Sequence, residues 1–187
     1  NRRESRMGEL VNTERGCTVL PRPDELAVCE RIAQAATKAR HPSAPSADAA
    51  LLVILQCLEM GIGPLAALNG VHNIKGRLSM SANLTAAQLR KCRRYDYRIR
   101  ESTDAVCEIE FFAVGWEEQG GVMRRKQETL GAYRYAMEDA KRAGLLGRDQ
   151  WRTYPRNMLY ARCMSGGARM FCADAFLGHI PYDEDEL

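Results

Sequence analysis

The feature that most constrains the fold is a change in hydrophobic period, from helical spacing to strict alternation, after residue 94. Over 95–100, tyrosines and an isoleucine alternate with aspartate and arginine, and 106–111 alternates in the same way. A third segment, 122–129, follows the glycine pair at 120–121. Residues two apart lie on the same face of a strand. We therefore predict three strands joined as an antiparallel meander.

Helical patterns flank this meander on both sides. Ser46 is a favourable N-cap, and Pro155 suits the first turn of a helix, where its missing N–H has no helical partner. A short segment, 65–68, and a hairpin centred on Gly76 lie between the helices and the meander. The predicted helices cover 24–40, 47–60, 84–93, 133–143 and 155–175. The fold class is therefore α+β, a small antiparallel sheet made of a hairpin and a meander and packed with helices.

The length of 187 residues suits one domain with a substantial core. Residues 1–22 read as an irregular segment because a glycine and two prolines precede the first helical pattern. We predict one α+β domain over 23–176 and an acidic C-terminal tail over 177–187.

Cysteine usage and hydropathy favour a cytoplasmic location. The seven cysteines are scattered, never form a C-x-x-C motif and lie mostly in apolar patterns. Such cysteines are typical of buried free thiols in a reducing compartment. The charged start has no apolar signal core, and no run of about eighteen apolar residues is present. We expect no membrane association.

No catalytic centre is visible in the sequence. The three histidines are far apart, a phosphate-binding glycine loop is lacking, and Glu108 with Glu110 is more typical of a solvated strand face than of a metal site. We therefore expect a protein that is not an enzyme and that uses no cofactor and no metal.

Charge is segregated along the chain. Residues 1–88 carry ten basic and eight acidic side chains, residues 89–169 carry seventeen and eleven, and residues 170–187 carry five acids without Lys or Arg. A central basic region beside an acidic end indicates a site for a polyanion.

Two basic segments lie in or beside the predicted sheet. The segment 89–100 holds six cationic residues against one acid, and 124–126 is cationic throughout. Because neighbouring strands are about 5 Å apart, both clusters could share one sheet face. Phosphate contacts need no sequence code, so a broad cationic face suits a nucleic-acid backbone. A solvated helix end and an exposed sheet face would explain the same residues.

The segment 151–169 combines arginines, aromatic residues and two glycines around Pro155. Arg162 and Arg169 are seven residues apart and share one helix face, with Arg156 and Tyr160 on its flank. Guanidinium groups bind phosphates and tyrosines stack on bases, whereas Trp151 reads as a core anchor. The glycines at 166–167 cost roughly 1–2 kcal/mol of helix propensity, which indicates close approach of a neighbouring element, a DNA strand or another subunit.

These residues resemble a known family. The pattern of Trp151, Pro155, Met158, Leu159, Arg162, Met164, Ala168, Arg169 and Phe171 is similar to the C-terminal core helix of the phage single-strand annealing recombinases of the Red beta and RecT type. Weaker likeness extends upstream to about residue 47. The chain departs from the family at 81–84, where a glycine–aromatic motif is replaced, and in its double glycine.

The resemblance implies an annealing-recombinase core that binds single-stranded DNA and anneals complementary strands without ATP. It also implies a homo-oligomer, as a ring or helical filament, an annealed duplex intermediate, a partner exonuclease, and a nucleoid-associated location in a bacterial host cell. The expected DNA-binding residues are Lys75, Arg77, Arg90, Lys91, Arg93, Arg94, Arg98, Arg100, Arg124, Arg152, Arg156, Tyr160, Arg162 and Arg169.

Other functions fit the same basic surface. A single-stranded DNA- or RNA-binding module that does not anneal would share it. A nuclease with dispersed carboxylates and a protein-interaction domain for an acidic partner are further alternatives. Annealing, metal-dependent loss of substrate and retention of DNA at physiological salt distinguish these classes.

Overall fold

The computed structural model describes residues 11–13, 16–18, 21–74 and 77–177. The chain divides into two compact units, with the boundary between Asn69 and Gly70. The single domain predicted over 23–176 spans this boundary. The C-terminal tail predicted over 177–187 lies outside the described residues except for Leu177.

The first unit is largely helical. A short antiparallel hairpin, β1 (Val11–Thr13) and β2 (Gly16–Thr18), precedes helices α1 (Pro23–Lys38) and α2 (Ala47–Glu59). Helix α3 (Pro64–Gly70) follows and ends at the boundary between the units. The prediction of irregular structure over 1–22 is therefore wrong at β1 and β2. Valine and threonine favour extended backbone, and this preference outweighs the loop signals of the glycine and the prolines.

Helices α1 and α2 pack around small and aliphatic side chains. Their shared cluster includes Cys29, Ala33, Ala50 and Ile54, all buried. The side chain of Ser46 accepts a hydrogen bond from the amide of Ala49 at 3.1 Å, which confirms the predicted N-cap. The bounds of α2 match the prediction to within one residue.

The second unit contains a hairpin, a three-stranded sheet and its covering helices. Strands β3 (Val71–Ile74) and β4 (Arg77–Met80) pair antiparallel, and helix α4 (Ala82–Lys91) follows. The sheet has the order β5 (Tyr95–Ser102), β6 (Val106–Gln119), β7 (Val122–Ala136). The antiparallel meander and the α+β class are thus confirmed.

The chain after the meander is helical. Helices α5 (Met137–Arg142), α6 (Asp149–Thr153) and α7 (Pro155–Phe171) are followed by a 3₁₀ turn, Ala173–Phe176. Pro155 is the first residue of α7, as predicted. The helix packs on β6 and β7, where the Phe111 and Phe171 rings lie 5.6 Å apart.

Several predicted elements differ from the structure; α7 ends at Phe171 rather than at 175, and α6 was not predicted. The helix predicted over 133–143 begins only at Met137, because β7 continues to Ala136 and pairs with β6. Tyr133 and Tyr135 alternate there with the exposed Arg134. This alternation is the period of a strand, although the segment also contains good helix formers. The segment 65–68, given no helix in the prediction, lies within α3, which Pro64 starts.

The fold has buried thiols, as predicted. Cys29, Cys57, Cys107, Cys163 and Cys172 are free and buried, while the free Cys92 is half-buried. The side chain of Cys163 on α7 faces the sheet, and its thiol donates to the carbonyl oxygen of Tyr133 at 3.0 Å.

Within the described ranges, no single helix is both long enough and apolar enough to span a membrane. Helices α2 and α3 together meet the criterion of length and composition, but they are bent by 112° at the break between them.

Candidate nucleic-acid interface

The sheet has one face covered by α7 and one face that carries arginines. Cys107, Ile109 and Phe111 of β6 are buried on the side of α7. Alternation therefore places Glu108, Glu110 and Phe112 on the opposite side. We call this second side the outer face; by strand register it also holds Asp96, Arg98, Arg100, Arg125 and Arg134.

The carboxylate of Glu110 lies at the centre of the outer face. It is 6% exposed and forms an ion pair with Arg100 at 2.6 Å, while the hydroxyl of Thr129 donates to it at 3.3 Å. The hydrogen bond from Arg100 lowers the pKa of Glu110 more than burial raises it, so this pKa lies below its ordinary value. The charge of Arg100 is therefore largely compensated.

Arg98 is the register partner of Glu110, Arg134 is the register partner of Glu108, and both arginines are exposed. The guanidinium of Arg98 lies 5.6 Å from the centroid of the Phe112 ring, and this stacking covers the ring. Within residues 77–177, neither Arg98 nor Arg134 forms an ion pair. Both charges are thus available to an anion.

A cleft of about 580 Å³ opens at the start of β5, where β6 and β7 continue past it. Three arginines reach it from different elements: Arg90 from α4, Arg93 from the turn after α4, and Arg125 from β7. The cleft is lined by Arg90, Arg93, Tyr95, Asp96, Val114, Trp116 and Arg125.

Asp96 organises two of these arginines. Its carboxylate accepts hydrogen bonds from Arg125 at 2.7 Å and from the Gln127 side chain at 3.2 Å, and it lies 3.5 Å from Arg90 Nε. Burial raises the pKa of Asp96, but the hydrogen bonds from Arg125 and the Tyr97 amide and the nearby positive charges outweigh it and lower this pKa. Among the described residues that line the cleft, three are arginines and one is acidic, so the cleft carries net positive charge.

Arg93 adopts a left-handed backbone conformation with φ of 56°. It follows the last turn of α4, where its amide donates to the Arg90 carbonyl at 3.3 Å. A glycine is the usual residue at such a position, because a Cβ atom is strained there. Despite this, the position holds an exposed cationic side chain that borders the cleft.

Beyond Tyr95, the first residue of β5, strands β6 and β7 continue as a two-stranded ribbon. We define the ribbon as 114–119 and 122–127; its turn, Gly120 and Gly121, has φ values of 63° and 78°. Two positive φ values are the requirement of a type I′ hairpin turn. Trp116 lies on this ribbon opposite Arg125, and its side chain is 60% exposed.

The predicted cationic residues at the start of β5 divide between the cleft and other contacts. Arg90 and Arg93 line the cleft, and Lys91 is exposed at the end of α4. Arg94 instead forms an ion pair with Asp174 at 2.6 Å. The Tyr95 hydroxyl donates to the same carboxylate, and burial followed by this bond raises the pKa of Tyr95 to about 12.

Four other predicted residues lie away from the cleft or outside the described residues. Alternation places Arg124 on the opposite face of the ribbon from Arg125, across from Glu117. Arg152 lies on α6, 3.5 Å from Asp149. Arg77 belongs to β4, and Lys75 lies outside the described residues.

The arginines predicted to bind DNA on α7 do not form one exposed surface. Arg162 is 8% exposed and Arg169 is half-buried. Arg156 is exposed and its Nε donates to the Ser102 hydroxyl at 2.9 Å, at the far end of β5 from the cleft. Tyr160 is half-buried against Tyr97, and burial raises its pKa. Arg162 is buried because it shares a helix face with Gly166, and this face packs on the sheet.

The double glycine of α7 lies against aromatic rings of the sheet. A Cβ atom on Gly166 would lie 2.5 Å from Cζ of Tyr133, and one on Gly167 would overlap the ring of Phe111. Of the predicted explanations, the close approach of a neighbouring element is therefore the one that the structure supports.

Sequence reasoning missed two residues of the cleft, Arg125 and Trp116. Arg125 belongs to the cationic triplet 124–126, and alternation within a strand was the signal that separates it from its neighbours. Trp116 follows Gly115 in a segment that continues the period of β6. Its exposure depends on β5 having 8 residues against the 14 of β6, a difference that no local pattern encodes.

No group of three or more His, Cys, Asp or Glu side chains suited to holding a metal ion occurs within the described ranges. Comparisons of the chain with protein-family models, with curated proteins and with solved structures find no match.

Proposed function

We propose that this protein binds single-stranded DNA through the cleft and the outer face of its sheet and anneals complementary strands without ATP. The observation that carries the proposal is the convergence of Arg90, Arg93 and Arg125 on one cleft beside the exposed arginines of the outer face. Of the described residues that line this cleft, Asp96 is the one with a carboxylate.

The arrangement suits the backbone of a nucleic acid better than a small anion. Arg98 and Arg134 extend the positive charge from the cleft across the outer face. Guanidinium groups bind phosphate oxygens with charge-assisted hydrogen bonds, and a series of such contacts needs no base sequence. A strand held by its phosphates keeps base edges available, so specificity comes from pairing with the second strand.

Annealing, assembly into a homo-oligomer and cooperation with an exonuclease belong to the proposal through the resemblance of 151–171 to the annealing recombinases. The cleft supports binding of the strand, whereas only the resemblance supports annealing and assembly. The runner-up is a single-stranded DNA- or RNA-binding module without annealing activity.

The test measures binding and annealing separately. A fluorescently labelled oligonucleotide reports binding by polarisation, and quenching between two complementary labelled strands reports annealing, both without ATP and at physiological salt. The double variant Arg90→Gln/Arg93→Gln should lose most binding and annealing. Lys141→Gln/Arg142→Gln removes the same charge from exposed positions of α5 and should retain both activities.

Each outcome decides between the functions. Acceleration of annealing by the wild type, lost in the cleft variant alone, supports the proposal. Binding without acceleration favours the non-annealing module. The proposal fails if the oligonucleotide is not retained, or if both double variants behave as the wild type.

A further inference from the structure

The protein has two tryptophans in very different surroundings. Trp151 is 1% exposed in the core, whereas Trp116 on the ribbon is 60% exposed. Large aromatic side chains contribute most when buried, so an exposed tryptophan on a charged ribbon points to an external contact. Within residues 77–177, no aromatic ring or guanidinium group stacks on Trp116.

The neighbours of Trp116 are cationic. It borders the cleft together with Arg90 and Arg93, and its partner in the β6–β7 register is Arg125. The guanidinium of Arg125 is held by Asp96 at 2.7 Å, so it turns toward the carboxylate rather than over the indole ring. Positive charge thus surrounds a ring whose own surface remains open.

This combination matches one nucleotide of an unpaired strand. A nucleobase presents a π-face that stacks on an aromatic ring, and the adjacent phosphates require cations. The cleft volume of about 580 Å³ lies within the range of roughly 300–1,000 Å³ that is typical of small-ligand sites. We propose that Trp116 is the stacking platform for one unpaired nucleobase and makes the cleft selective for single strands over duplex.

The selectivity follows from base accessibility and rests on the proposed function. In a duplex each base is stacked and paired, so its face reaches Trp116 only after the base leaves the helix. The phosphates of a duplex remain accessible to the arginines without Trp116. Removing the indole should therefore weaken single-strand binding and leave duplex binding unchanged.

A protein partner is the competing occupant of this surface. Met123 lies on the same ribbon face, two register rows from Trp116, and is 57% exposed. Its register partner is Glu118, so cations surround Trp116 but not Met123. Charge complementarity therefore favours a polyanion at Trp116, and Met123→Ala provides a control of similar exposure.

The experiment compares wild type, Trp116→Ala, Trp116→Phe and Met123→Ala in binding to labelled oligo-dT and to a duplex of the same length. Stacking on an aromatic side chain predicts that Trp116→Ala binds oligo-dT about 5- to 150-fold more weakly, with duplex affinity unchanged. Trp116→Phe should recover most of the loss, and Met123→Ala should match the wild type.

Intrinsic fluorescence supplies a second measurement. Oligo-dT should quench the emission of wild type, and Trp116→Phe, which retains only the buried Trp151, should show no quenching. The inference is overturned if Trp116→Ala keeps the wild-type preference for oligo-dT, or if Met123→Ala loses as much affinity as Trp116→Ala. Absence of all oligonucleotide binding by the wild type would instead overturn the proposed function.

Discussion

Gly167 lies directly against the ring of Phe111, and no Cβ atom fits between the α7 backbone and this ring. Tyr133 occupies the neighbouring position beside Gly166. The two glycines let the helix axis approach the sheet over its two central aromatic side chains. The loss of helix propensity at both positions is thus offset by close packing in the core.

Gly167→Ala should lower the free energy of unfolding by about 1–3 kcal/mol, because overpacking of a rigid core ring outweighs the gain in helix propensity. Urea unfolding followed by circular dichroism measures this change. Gly147→Ala is the control, since a Cβ atom there meets nothing within 4 Å. Equal stability of Gly167→Ala and wild type would contradict this close packing.

Local signals in the sequence were sufficient for several elements. Ser46 caps α2 and Pro155 starts α7, because capping and proline geometry depend only on nearby backbone. Strict alternation identified the meander for the same reason. The extension of β7 through Tyr133 was not predictable in this way, because pairing with β6 overrides the helix propensity of the segment.

The candidate site was less predictable than the fold. Helical spacing placed Arg162 and Arg169 on one face, but spacing alone does not say which face contacts the sheet. Gly166 lies four residues after Arg162, on the helix side that contacts the sheet. Because the two residues share this side, Arg162 is buried. The cleft joins α4, the start of β5 and the ribbon, and such a junction depends on strand lengths that no local pattern determines.

Arg93→Gly should separate binding from stability. A non-glycine residue with left-handed backbone is strained by about 1–2 kcal/mol, so glycine should leave the free energy of unfolding equal or slightly higher. The same change removes a cation from the cleft and should weaken oligonucleotide binding. Arg40→Gly is a matched control, because Arg40 has the same φ of 56° after α1. Loss of binding in both variants, or in neither, would contradict a role for Arg93.

The salt dependence of binding should report phosphate contacts on the outer face. Arg98→Gln and Arg134→Gln should each reduce the slope of log affinity against log salt by roughly 0.7 if each side chain contacts one phosphate of a single strand. Polarisation titrations at salt concentrations between roughly 50 and 200 mM measure the dependence of log affinity on log salt. Arg142→Gln, with its ion pair to Asp139 on α5, should keep the wild-type slope. An unchanged slope in both outer-face variants would remove this face from the interface.

Stability should fall in acid as Glu110 loses its charge. The hydrogen bond from Arg100 is the main cause that lowers the pKa of Glu110 in the folded state. The stabilisation that Glu110 adds to the free energy of unfolding is therefore complete above the unfolded pKa of about 4.3, and it is lost as pH falls through the lower folded pKa. Glu110→Gln should therefore be less stable than wild type at pH 7, and the difference should shrink below about pH 4. Urea unfolding between neutral and acidic pH measures both proteins, with Glu118→Gln on the exposed ribbon as the control. A difference that stays constant across this range would show that the charge of Glu110 is not what stabilises the sheet.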